Sequence, residues 1–318
     1  MNDLTASIDL SIVVPCYNEE ATIPLFYQEM MKEISSLKET GLLRGHEFVF
    51  IDDGSADSTA VLLRELASQD NNVHYIILSR NFGKEAAVLA GFNKASGRYI
   101  VVMDADLQDP PSLIRQLLEV VSSGEFDCAG TRRVTRKGEP AVRSFFARSF
   151  YRFMAKISDI EVVDGARDFR LMNRAYIDAV LSLKERNRFS KGIFPWVGFK
   201  TKWFEYENIN RVAGETKWSF WKLLLYSFDG ITAFSSRPLA FASISGTIFL
   251  ILSIVLILVI IVRTLIFGDP VAGWASTICI ILLLSGIQLF TIGILGQYLA
   301  KTYAEVKQRP HFIVREEK

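Results

Sequence analysis

The pattern of apolar and polar positions divides the sequence into two regions. Up to about residue 210, short apolar runs rich in Val and Ile alternate with longer stretches in which apolar residues recur every three or four positions. The short runs predict strands and the longer stretches predict helices. The predicted strands are 10–14, 48–51, 73–78, 99–103 and 127–130, and the clearest predicted helices are 20–37 and 58–68.

The alternation of strand and helix predicts the fold class of this first region. It is typical of an α/β domain whose strands form a mostly parallel, doubly wound sheet. Ligands of such sheets bind beyond the carboxyl ends of the strands. The residues that directly follow each predicted strand are therefore the first candidates for a functional site.

The last third of the chain contains two long runs without charge. No charged residue occurs in the 25 positions between Arg237 and Arg263, or in the 31 positions between Asp269 and Lys301. About 20 apolar residues are enough for a helix to cross the hydrocarbon core of a bilayer. The two runs predict a hairpin of two transmembrane helices; the alternative is a pair of buried helices in a soluble protein.

Basic residues flank this hairpin on its outer sides, and the connecting loop carries only Arg263 and Asp269. By the positive-inside rule, both termini are expected in the cytoplasm. The first ten residues lack a basic region followed by an apolar one, so no cleavable signal is expected. The expected units are a cytosolic domain 1–210, a juxtamembrane amphipathic segment 211–236, the hairpin 237–300 and a cytosolic tail 301–318. The flanking basic residues are Lys217, Lys222, Lys301, Lys307 and Arg309, together with Arg237.

Composition and charge remove several classes of protein. Of the 318 residues, 50% are hydrophobic and 22% are charged, which excludes a disordered, collagen-like or coiled-coil chain. The net charge of +1 gives no basic field, so nucleic acid is not expected as a partner. Three cysteines and three histidines without paired spacing predict neither a disulfide framework nor a zinc cluster. This use of cysteine fits a protein domain in a reducing compartment.

Polar segments follow four of the predicted strands. Each segment alone has an ordinary structural explanation, because Asp-Gly-Ser is turn chemistry and Asp57 or Ser58 could cap a helix. Four such segments at one edge of a sheet indicate a ligand site. They are PCYNEE at 15–20, DDGSADS at 52–58, SRNFGK at 79–84 and DADLQD at 104–109.

The last of these segments carries a pair of acids. Asp104 and Asp106 are separated by one residue after a buried strand, and two carboxylates so placed repel each other unless a divalent cation lies between them. Oxygen ligands, with Gln108 as a possible third, suit Mg²⁺ or Mn²⁺, which commonly share their coordination with substrate phosphates. The alternative is a solvated loop that caps a helix starting near Pro111.

The four segments together resemble a known family. IVVPCYNEE, VFIDDGSADST, LSRNFGKEAAVLAGF and VVMDADLQDPP are similar to the nucleotide-sugar-binding half of family 2 glycosyltransferases, which have the Rossmann-like GT-A fold. DADLQDPP resembles the corresponding segment of dolichyl-phosphate mannose synthases and bacterial polyisoprenyl-phosphate glycosyltransferases. ARDFRLMNR and RVAGETKWSFWKL resemble the branch that includes the bactoprenol glucosyltransferases, and the resemblance spans nearly the whole chain.

The resemblance implies a nucleoside diphosphate sugar as donor, with UDP and glucose favoured. Asp104 and Asp106 would then hold Mg²⁺ or Mn²⁺ on the diphosphate. No GxGxxG or GxxxxGK[ST] segment is present, which disfavours a dehydrogenase or a P-loop enzyme. The residues expected on the donor side are Pro15, Tyr17, Glu19, Asp53 and Lys84.

The resemblance also implies a polyprenyl phosphate as acceptor. A basic cluster follows the strand predicted at 127–130, and Arg132 with one of Arg143 or Arg148 is expected to bind the acceptor phosphate. The alternative is a solvated basic face. Arg211 and Lys217 belong to a segment that matches the family's R-x-x-G-x-[ST]-K pattern, which closes over the donor and acceptor phosphates.

An ionised acceptor phosphate is already a nucleophile, so positioning and stabilisation of the leaving group matter more than a strong base. Lys217 is expected to neutralise the departing nucleoside diphosphate together with the metal. Asp168 lies where many family 2 enzymes carry an acidic base, and orienting Arg170 is an equal alternative. Inversion at the anomeric carbon is expected from the fold alone.

The segment 217–234 is rich in aromatic residues and predicts an interfacial helix on the cytoplasmic leaflet, with core packing as the alternative. Gly246, Gly286, Gly293 and Gly296 allow close helix contact and predict a homo-oligomer, for which the resemblance suggests a tetramer. Two other functions stay open: a processive polysaccharide synthase, which normally carries a Q-x-x-R-W segment, and a non-catalytic membrane scaffold.

Overall fold

A computed structural model of the chain describes residues 8–133, 163, 165–206, 237–267 and 273–318. Eight strands in this part form one sheet with the order β7-β5-β6-β4-β1-β2-β3-β8. The strands are β1 (Leu10–Cys16), β2 (His46–Asp52), β3 (Val73–Leu78), β4 (Tyr99–Val102), β5 (Cys128–Arg133), β6 (Ala166–Asn173), β7 (Thr201–Tyr206) and β8 (Val314–Glu317).

Helices join most of these strands, as the alternating pattern predicts. The described helices are α1 (Ile23–Glu39), α2 (Thr59–Gln69), α3 (Lys84–Lys94), α4 (Leu113–Ser122), α5 (Arg174–Ser182), α6 (Ser190–Trp196), α7 (Arg237–Phe267) and α8 (Trp274–Val306).

The prediction of an α/β domain is confirmed, but the sheet is mixed. Strands β4, β1, β2 and β3 pair in parallel, as the regular alternation of the first hundred residues predicts. Strand β6 is antiparallel to both β4 and β5, and β8 is antiparallel to β3. The apolar pattern missed β6 because charged residues interrupt it at its amino end, where the strand enters the candidate site.

The central strands are buried on both faces. On β1, Ile12 and Val14 pack into the apolar layer that includes α1 and α4, whereas Val13 packs into the layer that includes α3. A Cβ on Gly91 of α3 would clash with Val13, so this glycine lets α3 lie close against the sheet. The close packing fixes where the amino end of α3 meets the carboxyl edge of the strands.

Regular structure covers much of the expected tail 301–318. Helix α8 continues beyond residue 300 to Val306, and the last residues form β8 at the edge of the sheet. Glu316 accepts hydrogen bonds from Arg64 Nε at 2.9 Å and from the Tyr75 hydroxyl at 2.8 Å. The sequence VREE has no apolar alternation, and its pairing with β3, more than 230 residues earlier, leaves no local signal.

Helices α7 and α8 have 31 and 33 residues and expose many large apolar side chains. Within the described part of the chain, one segment, Leu283–Val306, is long and apolar enough to cross a membrane, and a shorter apolar segment covers Ile244–Leu256. The hairpin of two spans therefore stays a prediction. The predicted interfacial segment 217–234 lies outside the described residues.

Candidate active site

The polar segments predicted to form a site meet at one edge of the sheet. The carboxyl ends of β1, β2, β3 and β4 lie together because these strands are parallel. Strand β6 runs the opposite way, and its pairing of Arg170 with Val102 brings Asp168 to the same edge. The loop after β4 and the start of β6 therefore form the centre of the site.

Lys84 joins two acids from different elements. Its Nζ donates to Asp104 Oδ1 at 2.6 Å and to Asp168 Oδ2 at 2.7 Å. The lysine is the first residue of α3, preceded by Gly83, whose φ of 99° favours glycine. The three side chains stay 41%, 28% and 30% exposed for Lys84, Asp104 and Asp168, so a substrate can reach them.

The electrostatics of the site hold Asp168 and Lys84 charged at neutral pH. Burial opposes the ionisation of Asp168, but Lys84, Lys191 and Arg170 outweigh it and hold the pKa of Asp168 well below its ordinary value. Burial likewise opposes the charge of Lys84, and the two acids outweigh it and raise the pKa of Lys84. A carboxylate with so low a pKa is a weak proton acceptor near pH 7.

Asp106 is the second member of the predicted metal-binding pair. It is buried, and its Oδ1 accepts a hydrogen bond from the backbone N–H of Gln108 at 3.1 Å. Leu107 between them has a φ of 54°, so the loop turns sharply just after the acids. This local bond fixes the Asp106 carboxylate, and the role of the Gln108 side chain as a third ligand stays a prediction.

The acidic residues of the site can be compared with the ligands that a divalent cation needs. In the described residues no group of three or more His, Cys, Asp and Glu side chains is placed to hold a metal ion. Asp104 and Asp106 offer only carboxylate oxygens, which fit Mg²⁺ or Mn²⁺ bound through one or two carboxylates with water and substrate phosphates. The residues present therefore fit a metal that arrives with its substrate.

Asp53 has a contact that the sequence did not predict. It is buried, and its two carboxylate oxygens accept the backbone N–H groups of Phe82 and Gly83 at 2.7 and 2.9 Å. Burial raises its pKa, and these two hydrogen bonds partly offset the rise. Asp53 thus ties the end of β2 to the loop before Lys84, and a contact with the donor ribose stays a prediction.

The other residues expected on the donor side lie on neighbouring loops. Pro15 is part of β1, and Tyr17, just beyond it, is exposed. Glu19 accepts a hydrogen bond from the Thr22 hydroxyl at 2.6 Å, and its backbone N–H donates to Thr59 Oγ1 at 2.9 Å. The second bond joins the loop after β1 to the start of α2.

Of the residues expected to bind the acceptor phosphate, the structure describes Arg132. It lies on β5, 42% exposed, and its guanidinium forms an ion pair with Glu205 of β7. Glu205 therefore neutralises part of the charge that the sequence assigned to phosphate. The others, Arg143, Arg148, Arg211 and Lys217, lie outside the described residues.

Sequence reasoning missed a second set of charged residues beside the trio. Arg167 precedes Asp168, and its Nε donates to Asp109 Oδ1 at 3.3 Å. Glu85, next to Lys84, accepts the backbone N–H of Ser190 at 2.9 Å. Asp109 follows the predicted metal pair in DADLQD and could have been found there; the pairing of Arg167 with it has no local signal.

A mixed Rossmann-like sheet with acids and a lysine at the carboxyl edge of its strands defines an α/β glycosyltransferase domain of the GT-A type. A family profile described as "Glycosyl transferase family 2" matches residues 11–181. The chain belongs to this family.

Curated relatives cover nearly the whole chain. It is 42% identical over 317 residues to "Uncharacterized glycosyltransferase YkcC" of Bacillus subtilis (strain 168), covering 98% of this chain and 95% of the relative. It is 40% identical over 309 residues to "Bactoprenol glucosyl transferase" of Shigella phage SfV, covering 97% of this chain and 99% of the relative.

The chain is also similar to a solved structure, glucosyl-3-phosphoglycerate synthase from Mycobacterium tuberculosis in complex with Mn²⁺, UDP-glucose and phosphoglyceric acid. The identity is 20%, the TM-score is 0.45, and the match covers 71% of this chain and 78% of the other.

Proposed function

We propose that this glycosyltransferase transfers a hexose, glucose in the first instance, from a UDP-sugar to polyprenyl phosphate at the cytoplasmic face of a membrane. The proposal is supported by the 40% identity to a bactoprenol glucosyl transferase over almost the full length of both chains. The observation that carries it is where α8 ends: its last turn contacts the loop between α5 and α6, and the chain beyond it pairs with β3.

Two sets of hydrogen bonds make this junction. Glu305 of α8 accepts the backbone N–H groups of Arg186 and Asn187 at 2.7 and 3.2 Å. Beyond α8, the Ile313 carbonyl accepts the backbone N–H of Ser79, which directly follows β3, at 2.9 Å. The loop that contains Arg186 leads to Ser190, whose N–H donates to Glu85, the neighbour of Lys84. The end of α8 is therefore linked through this loop to the helix that carries Lys84.

The position of Glu305 along α8 sets the distance from a membrane. The uncharged run ends at Ala300, five residues earlier, which is about 7 Å along a helix. The headgroup region of one leaflet is about 5–8 Å thick. If α8 spans the bilayer, the catalytic edge therefore faces the headgroups, where the phosphate of a polyprenyl lipid lies.

Asp104 and Asp106 are the residues that would hold Mg²⁺ or Mn²⁺, which when bound neutralises charge on the donor diphosphate. Lys84 adds a protein cation at the same place, and Lys217 is proposed to add another. The acceptor phosphate has a second pKa of about 6 and is an ionised nucleophile at neutral pH. Arg132, with Arg143 or Arg148, is proposed to hold it for attack on the anomeric carbon, and Arg211 to close over it.

Asp168 is better suited to orient groups than to take a proton. Its low pKa makes it a weak base, and an ionised phosphate nucleophile needs none. Its bond to Lys84 would fix that lysine on the donor side while Asp104 engages the metal. We therefore assign Asp168 an electrostatic and positioning role.

The proposal includes two membrane spans, α7 and α8, with both termini in the cytoplasm, and a homo-oligomer formed through these helices. Tags at either terminus would then be accessible only from the cytoplasmic side, and a reporter near residues 267–271 only from the other side. A monomer by mass measurement in mild detergent would contradict the oligomer.

The substrate test uses the purified full chain in lipid nanodiscs that contain polyprenyl phosphate. Radiolabelled UDP-glucose, UDP-galactose, UDP-N-acetylglucosamine and GDP-mannose are supplied separately with Mg²⁺, and the organic extract is analysed. Label is expected in the lipid fraction with UDP-glucose and not in discs that lack the lipid phosphate. Label in a water-soluble polymer would instead favour a processive synthase, and label in neither fraction with any donor would contradict the proposal.

A further inference from the structure

A buried ionic cluster adjoins the catalytic trio. Asp109 is 2% exposed and lies in the loop after β4, three residues beyond Asp106. Its Oδ1 accepts hydrogen bonds from Arg167 Nε at 3.3 Å and from the hydroxyl of Tyr206, which is also buried. Three separate elements, the metal loop, β6 and the end of β7, therefore meet at one carboxylate oxygen.

A buried ionic cluster of this kind adds little net stability to the fold. Taking an arginine and an aspartate out of water costs several kcal/mol per ion, and their attraction often only offsets this loss. Apolar side chains of similar volume could stabilise the domain at this position equally well, but an ion pair and a phenol occupy it. The Arg167 side chain keeps 25% exposure, so one side of the pair is open.

The surroundings of Arg167 show what it faces. Burial opposes its charge, but Asp109, Asp104, Tyr206 and Asp168 outweigh this and raise the pKa of Arg167. Arg167 directly precedes Asp168 on β6, and its partner Asp109 lies three residues beyond Asp106 in the loop after β4. A cation is thereby fixed beside the loop of the metal pair, where the reacting phosphates of the proposed function would lie.

We propose that Arg167 binds a phosphate oxygen of one of the two substrates, and that Asp109 and Tyr206 are positioning residues that hold its guanidinium. The inference rests on the proposed function, because a phosphate reaches this place only if a sugar nucleotide or a lipid phosphate is the substrate. A guanidinium has five N–H donors, and binding through Nε leaves its two terminal nitrogens for a bidentate contact with phosphate.

Arg167 is oriented more firmly than Arg132, the described arginine that the sequence predicts to bind the acceptor phosphate. Arg132 is held by Glu205 on an exposed surface, where an ion pair is weak and easily exchanged. The guanidinium of Arg167 is bound by the carboxylate of Asp109, which also accepts a hydrogen bond from the Tyr206 hydroxyl. The orientation of this guanidinium is therefore set before substrate binds. Preorganisation of this kind favours binding of a charged group in the transition state.

Tyr206 adds a further link to this cluster. It is the last residue of β7, directly before the segment that carries Arg211 and Lys217. Its bond to Asp109 therefore ties the start of that segment to the metal loop. Loss of the hydroxyl should loosen Arg167 without removing any charge.

The test compares Arg167→Gln, Arg167→Lys and Tyr206→Phe with the unaltered full chain in nanodiscs. The control is Arg115→Gln on α4, which removes an arginine that bonds Ser36 and Thr40 away from the site. Three quantities are measured: the affinity for UDP with Mg²⁺ by calorimetry, the KM for polyprenyl phosphate, and kcat.

For Arg167→Gln we expect a loss of about 10- to 100-fold, the effect of one charged hydrogen-bonding partner, in one of the two binding quantities. A higher KM for the lipid with unchanged UDP affinity assigns Arg167 to the acceptor; weaker UDP binding assigns it to the donor. Arg167→Lys should recover part of the loss, and Tyr206→Phe should reproduce a smaller loss in the same quantity.

Unchanged UDP affinity, lipid KM and kcat in Arg167→Gln would overturn the proposal while leaving the glycosyltransferase assignment in place. A second result would also overturn the proposal. If Arg167→Gln weakened UDP binding, lipid binding and kcat equally and lowered the unfolding midpoint, and if Arg167→Lys restored none of these, Arg167 would have only a structural role. If the unaltered chain did not glycosylate the lipid, the proposed function would fail, and unchanged UDP binding in Arg167→Gln would then overturn this inference too.

Discussion

Acidic side chains lie at both ends of the parallel strands, and they differ in burial and in their partners. At the amino end of the parallel strands, Glu47 is 3% exposed and its Oε1 accepts from Ser11 Oγ at 2.5 Å and from the Ser96 N–H at 2.6 Å. At the carboxyl end, Asp104 and Asp168 share one lysine and remain more than a quarter exposed.

The difference separates a structural centre from a reactive one. The hydrogen bonds of Glu47 join β1, β2 and the turn before β4, and protein donors supply them from short range, so the cluster needs no ligand. At the carboxyl end, the cations Lys84, Arg167, Arg170 and Lys191 act on the acids, but Asp104 and Asp168 stay open to solvent. These exposed carboxylates can take a ligand, and Asp104 with Asp106 suits a divalent cation.

The largest expected effect comes from removing a charge at the reactive end. Asp106→Asn or Asp104→Asn should lower kcat for lipid glycosylation by about 100- to 1000-fold, because stabilisation of the leaving diphosphate is lost. The unfolding midpoint of Asp106→Asn should stay close to that of the unaltered chain, because an amide oxygen can still accept the Gln108 N–H. Initial rates and thermal unfolding on the same preparations check both parts. Full activity of these variants, or of the unaltered chain in excess EDTA, would contradict a metal held by this pair.

Lys84→Gln should have the next largest effect. It removes the cation that bridges Asp104 and Asp168, and kcat/KM for the donor should fall by about 10- to 100-fold. Because Lys84 and a metal ion compete for Asp104, the variant should also bind Mn²⁺ more tightly when no donor is present. Electron paramagnetic resonance of free Mn²⁺ measures this affinity. Weaker Mn²⁺ binding in the variant would show that the lysine assists the metal instead of competing with it.

At the structural end the pattern of effects should reverse. Glu47→Gln should destabilise the fold by about 1–3 kcal/mol, because buried donors lose their charged acceptor. The kcat of the folded fraction should stay within about twofold of the unaltered chain, since Glu47 and the trio lie at opposite ends of the strands. Denaturant unfolding of the variant, with kinetics well below its midpoint, gives both numbers. A selective loss of kcat without destabilisation would remove the contrast between the two ends.

The smallest expected effect is that of pH on the trio itself. The folded-state pKa of Asp168 is lowered, so its ionisation stabilises the fold above the ordinary carboxyl pKa of about 4 and is lost only as pH falls through the lower folded value. Between about pH 5 and 8, Asp168 should therefore change neither stability nor rate. The rate should fall only below about pH 6, as the acceptor phosphate is protonated. A rate profile at saturating donor, beside unfolding midpoints, tests this; an acid limb that Asp168→Asn abolishes would make Asp168 a base.

Sequence reasoning found the parts of the molecule whose signals are local. Strands β1 to β4 and the acids that follow them are marked by apolar runs and turn residues within a few positions. Strand β8 and the contact between Arg167 and Asp109 join segments tens to hundreds of residues apart, and no periodicity reports such pairings. Asp53 shows a third case: its position was predicted, but its two backbone donors come from a loop that only the fold brings near.

The reactive end of the sheet should add one hexose to a polyprenyl phosphate in the membrane. The most direct measurement is mass spectrometry of the lipid extracted after the purified chain acts on UDP-glucose and polyprenyl phosphate, with Asp106→Asn as the inactive match. A lipid heavier by a single hexose residue should form with the unaltered chain and not with the variant. A lipid of unchanged mass, or the same product from both proteins, would contradict it.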